Sequence, residues 1–142
     1  MRTLQDASLL NSIALPAAAG SVTTPDLDLG SAQGAASSSA GNQSEFPENV
    51  EIQVLVPALT ATQMPTGTIL TVQLQSGPSA GPTTSYEQPI SITSASGIAK
   101  ATYRFRVPYN IARYLNAKFT TANGTGTAGN CAASAGVIQL VF

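Results

Sequence analysis

The stretch AKATYRFRVPYNIARYLNAKFTT, residues 99–121, decides the fold class because apolar and polar side chains alternate along it twice. Residues 101–107 place Ala, Tyr, Phe and Val on one side and Thr and Arg on the other. Residues 115–119 alternate Leu, Ala and Phe with Asn and Lys. Alternation with a period of two is typical of a half-buried β-strand, and Pro108 fits only at the end of one. The stretch therefore predicts two strands joined by a short corner, which supply both a core and a basic surface.

The same alternation recurs in five other segments, which are separated by turns rich in Gly, Pro and Ser. They are residues 21–29, 50–56, 68–75, 89–93 and 137–142. The sequence has no internal repeat and no pattern of a long helix, and its 142 residues are most simply one domain. About seven short strands with turns between them predict an all-β fold, a sandwich or a barrel.

Residues 1–20 are predicted to form an N-terminal arm outside the β-sandwich domain of residues 21–142. The segment is short and closes on Pro16 and an Ala run, and a one- or two-turn helix there would be marginal without packing. We expect the arm to become ordered only where another surface accepts it. Residues 30–48 are predicted to be a long flexible Gly/Ser/Ala loop with Phe46 as its one large apolar anchor. The large apolar residues of the arm are Leu4, Leu9, Leu10, Ile13 and Leu15.

The few charges are segregated along the chain, although the formal net charge is only −1. Residues 1–99 carry one basic and seven acidic side chains, whereas residues 100–142 carry five basic side chains and no acidic one. Two separately solvated faces explain this pattern, and so does docking of copies through acidic and basic surfaces. Arg104 and Arg106 are the candidates for contact with acidic partner residues. The net charge argues against general attraction to nucleic acid, and against bases stacking on these arginines and their neighbouring tyrosines.

Residues that carry catalysis or bind metals are scarce in this sequence. The absence of histidine excludes a Ser-His-Asp triad, and Cys131 has no second cysteine for a disulfide or a thiolate zinc site. Asp26 and Asp28 would share one strand face, where solvation at a strand edge is favoured over a calcium site. We therefore predict no enzyme, no metal site and no cofactor.

The loop at residues 124–129, GTGTAG, matches the dinucleotide-binding fingerprint and follows a predicted strand. That fingerprint requires a helix N-terminus and an acidic residue about 20 positions later. Here a strand begins soon afterwards, and no acidic residue follows Glu87. We therefore interpret the motif as a hairpin loop.

The start of the chain loosely imitates a secretory signal, with Arg2, an apolar run over residues 13–19 and three alanines. Polar residues and Pro16 interrupt the apolar region, so secretion is the less favoured interpretation. A minor pilin or secreted structural subunit depends on it. No apolar run approaches the length of roughly 18 residues that spans a membrane.

Five segments together resemble the capsid cement or decoration proteins of tailed bacteriophages. This resemblance implies a jelly-roll β-sandwich on the exterior of an icosahedral head, which clamps neighbouring major capsid proteins as a dimer or trimer of identical subunits. It also implies assembly in the host cytoplasm. A jelly roll has eight strands where we count seven, so either the arm supplies the eighth or the topology differs. The segments are TTPDLDLG at 23–30, VEIQVLVPAL at 50–59, TILTVQLQSG at 68–77, YRFRVPYNIARYLNAKF at 103–119 and GVIQLVF at 136–142.

The alternative to a capsid subunit is a carbohydrate- or surface-binding β-sandwich module, such as a small adhesin or a tail-fibre module. Sugar-binding sandwiches usually expose aromatic platforms, and this chain has no Trp. Tyr86, Tyr109 and Tyr114 are the only plausible platform residues. For the capsid role, the predicted contact residues with capsid or sister subunits are Leu4, Leu9, Leu10, Ile13, Leu15, Phe46, Arg104 and Arg106.

Overall fold

A computed structural model describes residues 9–29, 43–45, 50–107 and 110–141. The regular elements of two or more residues in these ranges are all β-strands. Leu4, Phe46 and most of the predicted loop at 30–48 lie outside the described residues. No helix among the described residues has the length and apolar character to cross a membrane. The strands are β1 (Leu10–Ala14), β2 (Gly20–Thr23), β3 (Leu27–Asp28), β4 (Gln43–Glu45), β5 (Glu51–Val56), β6 (Ile69–Gly77), β7 (Ile90–Thr93), β8 (Ala101–Arg106), β9 (Asn110–Ala112), β10 (Tyr114–Ala122) and β11 (Ala135–Val141).

Two antiparallel sheets form the body. The first, here called sheet A, has the strand order β1-β11-β5-β8. The second, sheet B, has the order β2-β10-β6-β7, and the short β3 also pairs with β10. A separate two-stranded ribbon joins β4 to β9. The core lies between sheets A and B.

The strand order is that of a jelly roll. Without β3, β4 and β9, the eight remaining strands give the orders 1-8-3-6 and 2-7-4-5 in the two sheets. The first pairs with the last (β1 with β11), the second with the seventh (β2 with β10), the third with the sixth (β5 with β8) and the fourth with the fifth (β6 with β7). A long antiparallel hairpin rolled into two sheets produces this nesting. The all-β, jelly-roll prediction is confirmed.

Side-chain alternation builds the sandwich as the sequence predicts. Burial alternates regularly along β5 and along the first six residues of β6, with an apolar side chain at every buried position. On β10, Leu115, Ala117 and Phe119 are each fully buried. Three outward residues break the pattern, since Asn116 is 2% exposed, Gln75 is 5% exposed and Gln139 is 6% exposed.

Residues 9–20 differ from the sequence-based expectation of an arm outside the body. Residues 10–14 form β1, which pairs along its whole length with β11 and supplies the strand missing from the count of seven. Leu9 and Leu15 flank β1 and are 3% and 1% exposed within the protein's own core. The physical reason is the period-two placement of Leu9, Ile13 and Leu15, which face the core while Leu10 faces outward.

The stretch that decides the fold class crosses between the two sheets. β8 lies in sheet A and β10 in sheet B, so the predicted corner is a crossover. The sequence predicts a single basic surface for this stretch, and that prediction is wrong, because Arg104 and Arg106 lie on one sheet and Lys118 lies on the other. The connection from β10 to β11 also crosses between sheets, so the loop at 124–129 is not a hairpin loop as predicted.

Candidate interaction surface

The outer face of sheet A, here called the A face, brings distant parts of the sequence together. Register places Leu10, Gln139, Gln53 and Arg104 in one row across all four strands. Opposite residues in an antiparallel pair point to the same side of the sheet. The neighbouring rows add Ser12, Val137, Leu55 and Thr102 on one side, and Val141, Glu51 and Arg106 on the other.

The basic side of the A face lies on β8. The Arg104 and Glu51 side chains are 65% and 43% exposed, and Arg104 Nη1 lies 3.8 Å from Glu51 Oε2. An exposed pair at this distance contributes little to stability. Arg106 is exposed and makes no ion pair with another described residue. Both guanidinium groups are therefore accessible to acidic groups of a partner, although charges on an edge strand also protect a lone protein from aggregation.

The other side of the A face is uncharged and partly apolar. Leu10 is 38% exposed, the only large hydrophobic residue classed as exposed among the described residues. Val137 and Leu55 are half-buried in the neighbouring row, and Gln139 Nε2 donates to Gln53 Oε1 at 3.1 Å in the centre of the face. The sequence analysis selected Leu10 but not Leu55, Val137, Gln139 or Gln53. The signal was available, because Leu55 and Val137 are apolar residues at outward positions of their strands.

Three of the predicted contact residues, Leu10, Arg104 and Arg106, therefore lie on one face. Leu9 and Leu15 do not, because both side chains fill the protein's own core, and this corrects their assignment as partner contacts. Ile13 is half-buried and packs against the same core. Leu4 and Phe46 lie outside the described residues.

The outer face of sheet B is different in chemistry. Ser21, Thr120, Thr71 and Ser91 form one row of hydroxyl groups across its four strands. Ser21 Oγ lies 2.8 Å from Thr120 Oγ1, and Thr71 Oγ1 lies 3.2 Å from Ser91 Oγ. Lys118 adds one positive charge. The hydroxyl groups of this row therefore bond to one another in pairs.

Asp26 and Asp28 hold the structure together, which corrects their interpretation as solvated strand-edge residues. Asp26 Oδ2 accepts from the backbone N–H of Gly81 at 2.6 Å, and its Oδ1 accepts from Asn116 Nδ2 at 2.9 Å. These bonds tie the β2–β3 connection to the β6–β7 loop and to β10. Asn116 Oδ1, also buried, has no hydrogen-bond partner among the described residues. No group of three metal-ligating side chains occurs among the residues the structure describes.

Asp28 forms a two-bonded pair with Arg113. Arg113 Nε donates to Asp28 Oδ1 at 2.7 Å and Nη2 donates to Oδ2 at 2.8 Å. Parallel bonds between a guanidinium and a carboxylate are the strong form of ion pair. They raise the pKa of Arg113 above its ordinary value, which partial burial opposes. The Arg113 side chain is therefore engaged in a contact within its own chain.

Two of the three candidate platform tyrosines, Tyr86 and Tyr114, are each engaged within the chain. Tyr86 Oη donates to the backbone carbonyl of Arg106 at 3.0 Å, and partial burial, with a smaller effect of Glu87, raises the pKa of its hydroxyl. Tyr114 lies under the Arg113 guanidinium, 5.2 Å from it. Tyr109 lies outside the described residues. Tyr114 is also on sheet B, so it does not share a surface with Arg104 and Arg106 for stacking on bases.

The glycine-rich loop at residues 124–129 packs closely against the loop that contains Gly67. A Cβ on Gly124 would collide with the backbone carbonyl of Gly67, so glycine permits the two loops to approach this closely. Asn123 Oδ1 accepts from the backbone N–H of Ala128 at 2.9 Å and closes the loop on itself. No helix follows before β11 begins at Ala135. The geometry that would hold a pyrophosphate at a helix N-terminus is therefore absent from this loop.

The strand order defines the class of the protein as a jelly-roll sandwich, a fold found in viral capsid domains, lectin domains and cupins. No protein-family model matches the sequence, and no curated protein sequence matches it either.

Among the solved structures that are similar to the chain are three of low identity. A chain of the cowpea mosaic virus top component, from naturally occurring empty particles, is 9% identical with a TM-score of 0.43; the similarity covers 93% of this chain and 79% of that chain. A chain of broad bean stain virus is 7% identical with a TM-score of 0.42, covering 99% and 84%. A chain of infectious bursal disease virus, Gx strain, is 11% identical with a TM-score of 0.40, covering 99% and 32%. At these values the similarity carries no argument about function.

Proposed function

We propose that this chain is a structural subunit of a virus particle, a cement or decoration protein on the exterior of an icosahedral phage head. In this role it stabilises contacts between major capsid proteins and associates with copies of itself as a homodimer or homotrimer. The host cytoplasm is then the place of assembly. Binding that favours the assembled shell stabilises it by mass action, so the role requires no catalysis and no cofactor.

The observation that carries the proposal is the composition of the A face. Leu10 and the two arginines Arg104 and Arg106 come from strands at opposite edges of sheet A, yet their side chains share one surface. An uncharged central area beside an exposed basic border suits a partner that presents apolar contacts next to acidic groups. A rigid two-sheet body holds these groups in fixed positions, as a clamp between subunits requires.

A carbohydrate-binding module is the alternative, and the jelly-roll fold by itself suits it equally well because lectin domains share the fold. The tyrosine geometry supports it less. Tyr86 and Tyr114 are both engaged within the chain, by Arg106 and Arg113 respectively, so neither ring is a free platform.

Binding to shells tests the proposal. Empty heads of the virus that encodes the chain would be mixed with the purified protein and pelleted. We expect the protein to sediment with the heads and expect the double variant Arg104→Glu, Arg106→Glu to remain in the supernatant. Lys118→Glu is the matched control, because it reverses a charge on the outer face of the other sheet and should leave binding intact.

Two outcomes argue against the proposal in different ways. If the charge-reversal variant sediments like the parent protein, the A face is not the contact surface. If the parent protein does not bind heads but is retained on immobilised glycans, the carbohydrate-binding alternative replaces the capsid role.

A further inference from the structure

The outer edge of β1 has backbone hydrogen-bonding groups that pair with no strand of the described part of the chain. The backbone N–H of Leu15 donates to Ser134 O at 2.9 Å, in line with the β1–β11 register. Because groups alternate along an antiparallel strand, the N–H and C=O of Asn11 and Ile13 also point to β11. Those of Leu10, Ser12 and Ala14 point the other way, and among the described residues no strand lies on that side. All three residues are exposed.

β8 forms the opposite edge of sheet A, and this edge is protected against pairing with another strand. It carries Arg104 and Arg106, whose charges discourage the approach of another strand. In addition, the outward carbonyl of Arg106 accepts the hydroxyl of Tyr86.

Both edge strands of sheet B are only four residues long, and a proline lies just outside each of them. Next to β2, Pro25 lacks an N–H, and its carbonyl accepts from Asn11 Nδ2 at 3.1 Å. On the other side Pro89 precedes the four-residue β7 and likewise has no N–H. Among these four edges, β1 alone presents three successive outward residues that have no charge, no proline and no capping side chain.

We propose that the open edge of β1 pairs antiparallel with the same edge of a second copy of this chain. A two-fold axis at Ser12 places Ser12 opposite Ser12 of the second copy, and Leu10 opposite Ala14 of the second copy. In this register each outward N–H faces an outward C=O, so three residue pairs form six backbone hydrogen bonds. The two copies of sheet A then form one continuous sheet of eight strands.

Side chains in this register are compatible with a close pair. The outward residues Leu10, Ser12 and Ala14 carry no charge, so no like charges meet across the junction. Leu10 gains the small Ala14 as its neighbour, which covers part of the exposed leucine. The paired edge is only five residues long, so we expect a reversible dimer whose population rises with concentration. This inference does not depend on the capsid role.

Sedimentation velocity from low micromolar to submillimolar concentration tests the pairing. We expect a monomer–dimer equilibrium for the parent chain. Ser12→Pro removes an N–H that the β1–β11 ladder does not use, and it places a ring on the open edge. It should weaken the dimer about tenfold or more, because paired hydrogen bonds are lost. The fold should persist, because the Asn11 and Ile13 bonds to β11 remain.

Ile13→Pro is the matched control, since it removes an N–H that points to β11 and should destabilise the monomer. If Ser12→Pro also fails to fold, Leu10→Lys provides a second variant, because it places a charge beside the edge without changing the backbone. A parent chain that is monomeric at every concentration, or that closes into a trimer, would overturn the proposal. Variants that dimerise like the parent chain would do the same.

Amide hydrogen exchange gives an independent measurement on the unaltered chain. The amides of Leu10, Ser12 and Ala14 should exchange rapidly in dilute solution and become protected at high concentration. Those of Asn11 and Ile13 should be protected in both. A dimer in which the three outward amides remain unprotected uses another surface, which would contradict the inference.

Discussion

The ring of Phe119 on β10 packs directly on Gly136 of β11, and this contact sets how closely sheets A and B approach. A Cβ on Gly136 would lie 2.6 Å from Phe119 Cε2, well inside van der Waals contact. Phe119 is fully buried, so its ring cannot move out into solvent without leaving the core. The pair shows that a glycine inside a strand is needed where the opposite sheet contributes a large ring.

Gly136→Ala should therefore destabilise the sandwich. Overpacking of a filled core costs typically about 1–3 kcal/mol, which denaturant unfolding would measure. The control is Gly20→Ala, because the nearest atom to a Cβ there is Ala18 O at 3.9 Å. Combining Gly136→Ala with Phe119→Leu should cost less than the sum of the single changes. Strict additivity of the two changes would show that the contact does not limit the packing.

Asp26→Ala should loosen the β6–β7 loop. The change removes the acceptor of the Gly81 N–H, which is exposed to water, and of the buried Asn116 Nδ2; leaving a buried donor without its partner costs about 1–3 kcal/mol. Faster exchange of the Gly81 amide and a lower free energy of unfolding would report it. Glu87→Ala, which removes an exposed carboxylate, is the control. An unchanged exchange rate at Gly81 would show that Asp26 does not hold the loop.

Leu15→Ala tests whether β1 belongs to the folded body. Leu15 is 1% exposed, and truncating a buried leucine costs about 2–5 kcal/mol. Leu10→Ala, on the same segment but facing outward, should change stability by less than about 0.5 kcal/mol. If the N-terminal segment were an arm detached from the body, both variants would unfold like the parent protein. Thermal or urea unfolding distinguishes the two cases.

Alkaline pH should lower stability through Cys131. Burial raises the pKa of its thiol above the ordinary value, so the unfolded chain loses that proton at a lower pH than the folded protein. The unfolded state then binds fewer protons, and the free energy of unfolding falls as pH rises. Urea unfolding between neutral pH and about pH 9.5 would show the decrease. The free energy of unfolding of the Cys131→Ala variant should decrease less over the same pH range. An equal decrease in both proteins would exclude the thiol as the cause.

Alternation predicted the strands of the body because their apolar residues face a core on one side only. Val54 in β5 and Leu140 in β11 are fully buried at positions where the sequence places them inside. The assignment of β8 and β10 to different sheets was not available from the sequence, because a short corner connects strands within a sheet and between sheets equally well. It required the register with β5 and β6.

The N-terminal strand and the buried polar residues were missed for two physical reasons. In β1, the inward Asn11 interrupts the apolar pattern, since its side chain donates to the backbone carbonyls of Pro25 and Asp26 instead of filling the core. Asn116 lies on the outer side of its sheet, yet Asp26 and the carbonyl of Pro82 cover it. Contacts of this kind join residues far apart in the chain, and a local pattern contains no sign of them.

Whether the protein lies on virus particles, as we propose, is the most direct test of the central claim. Immunogold electron microscopy would be applied to purified intact particles of the encoding virus, with an antibody raised against the folded chain. We expect gold particles distributed over the outside of intact heads. Intact heads without label, or label confined to tails or to free protein, would contradict the account.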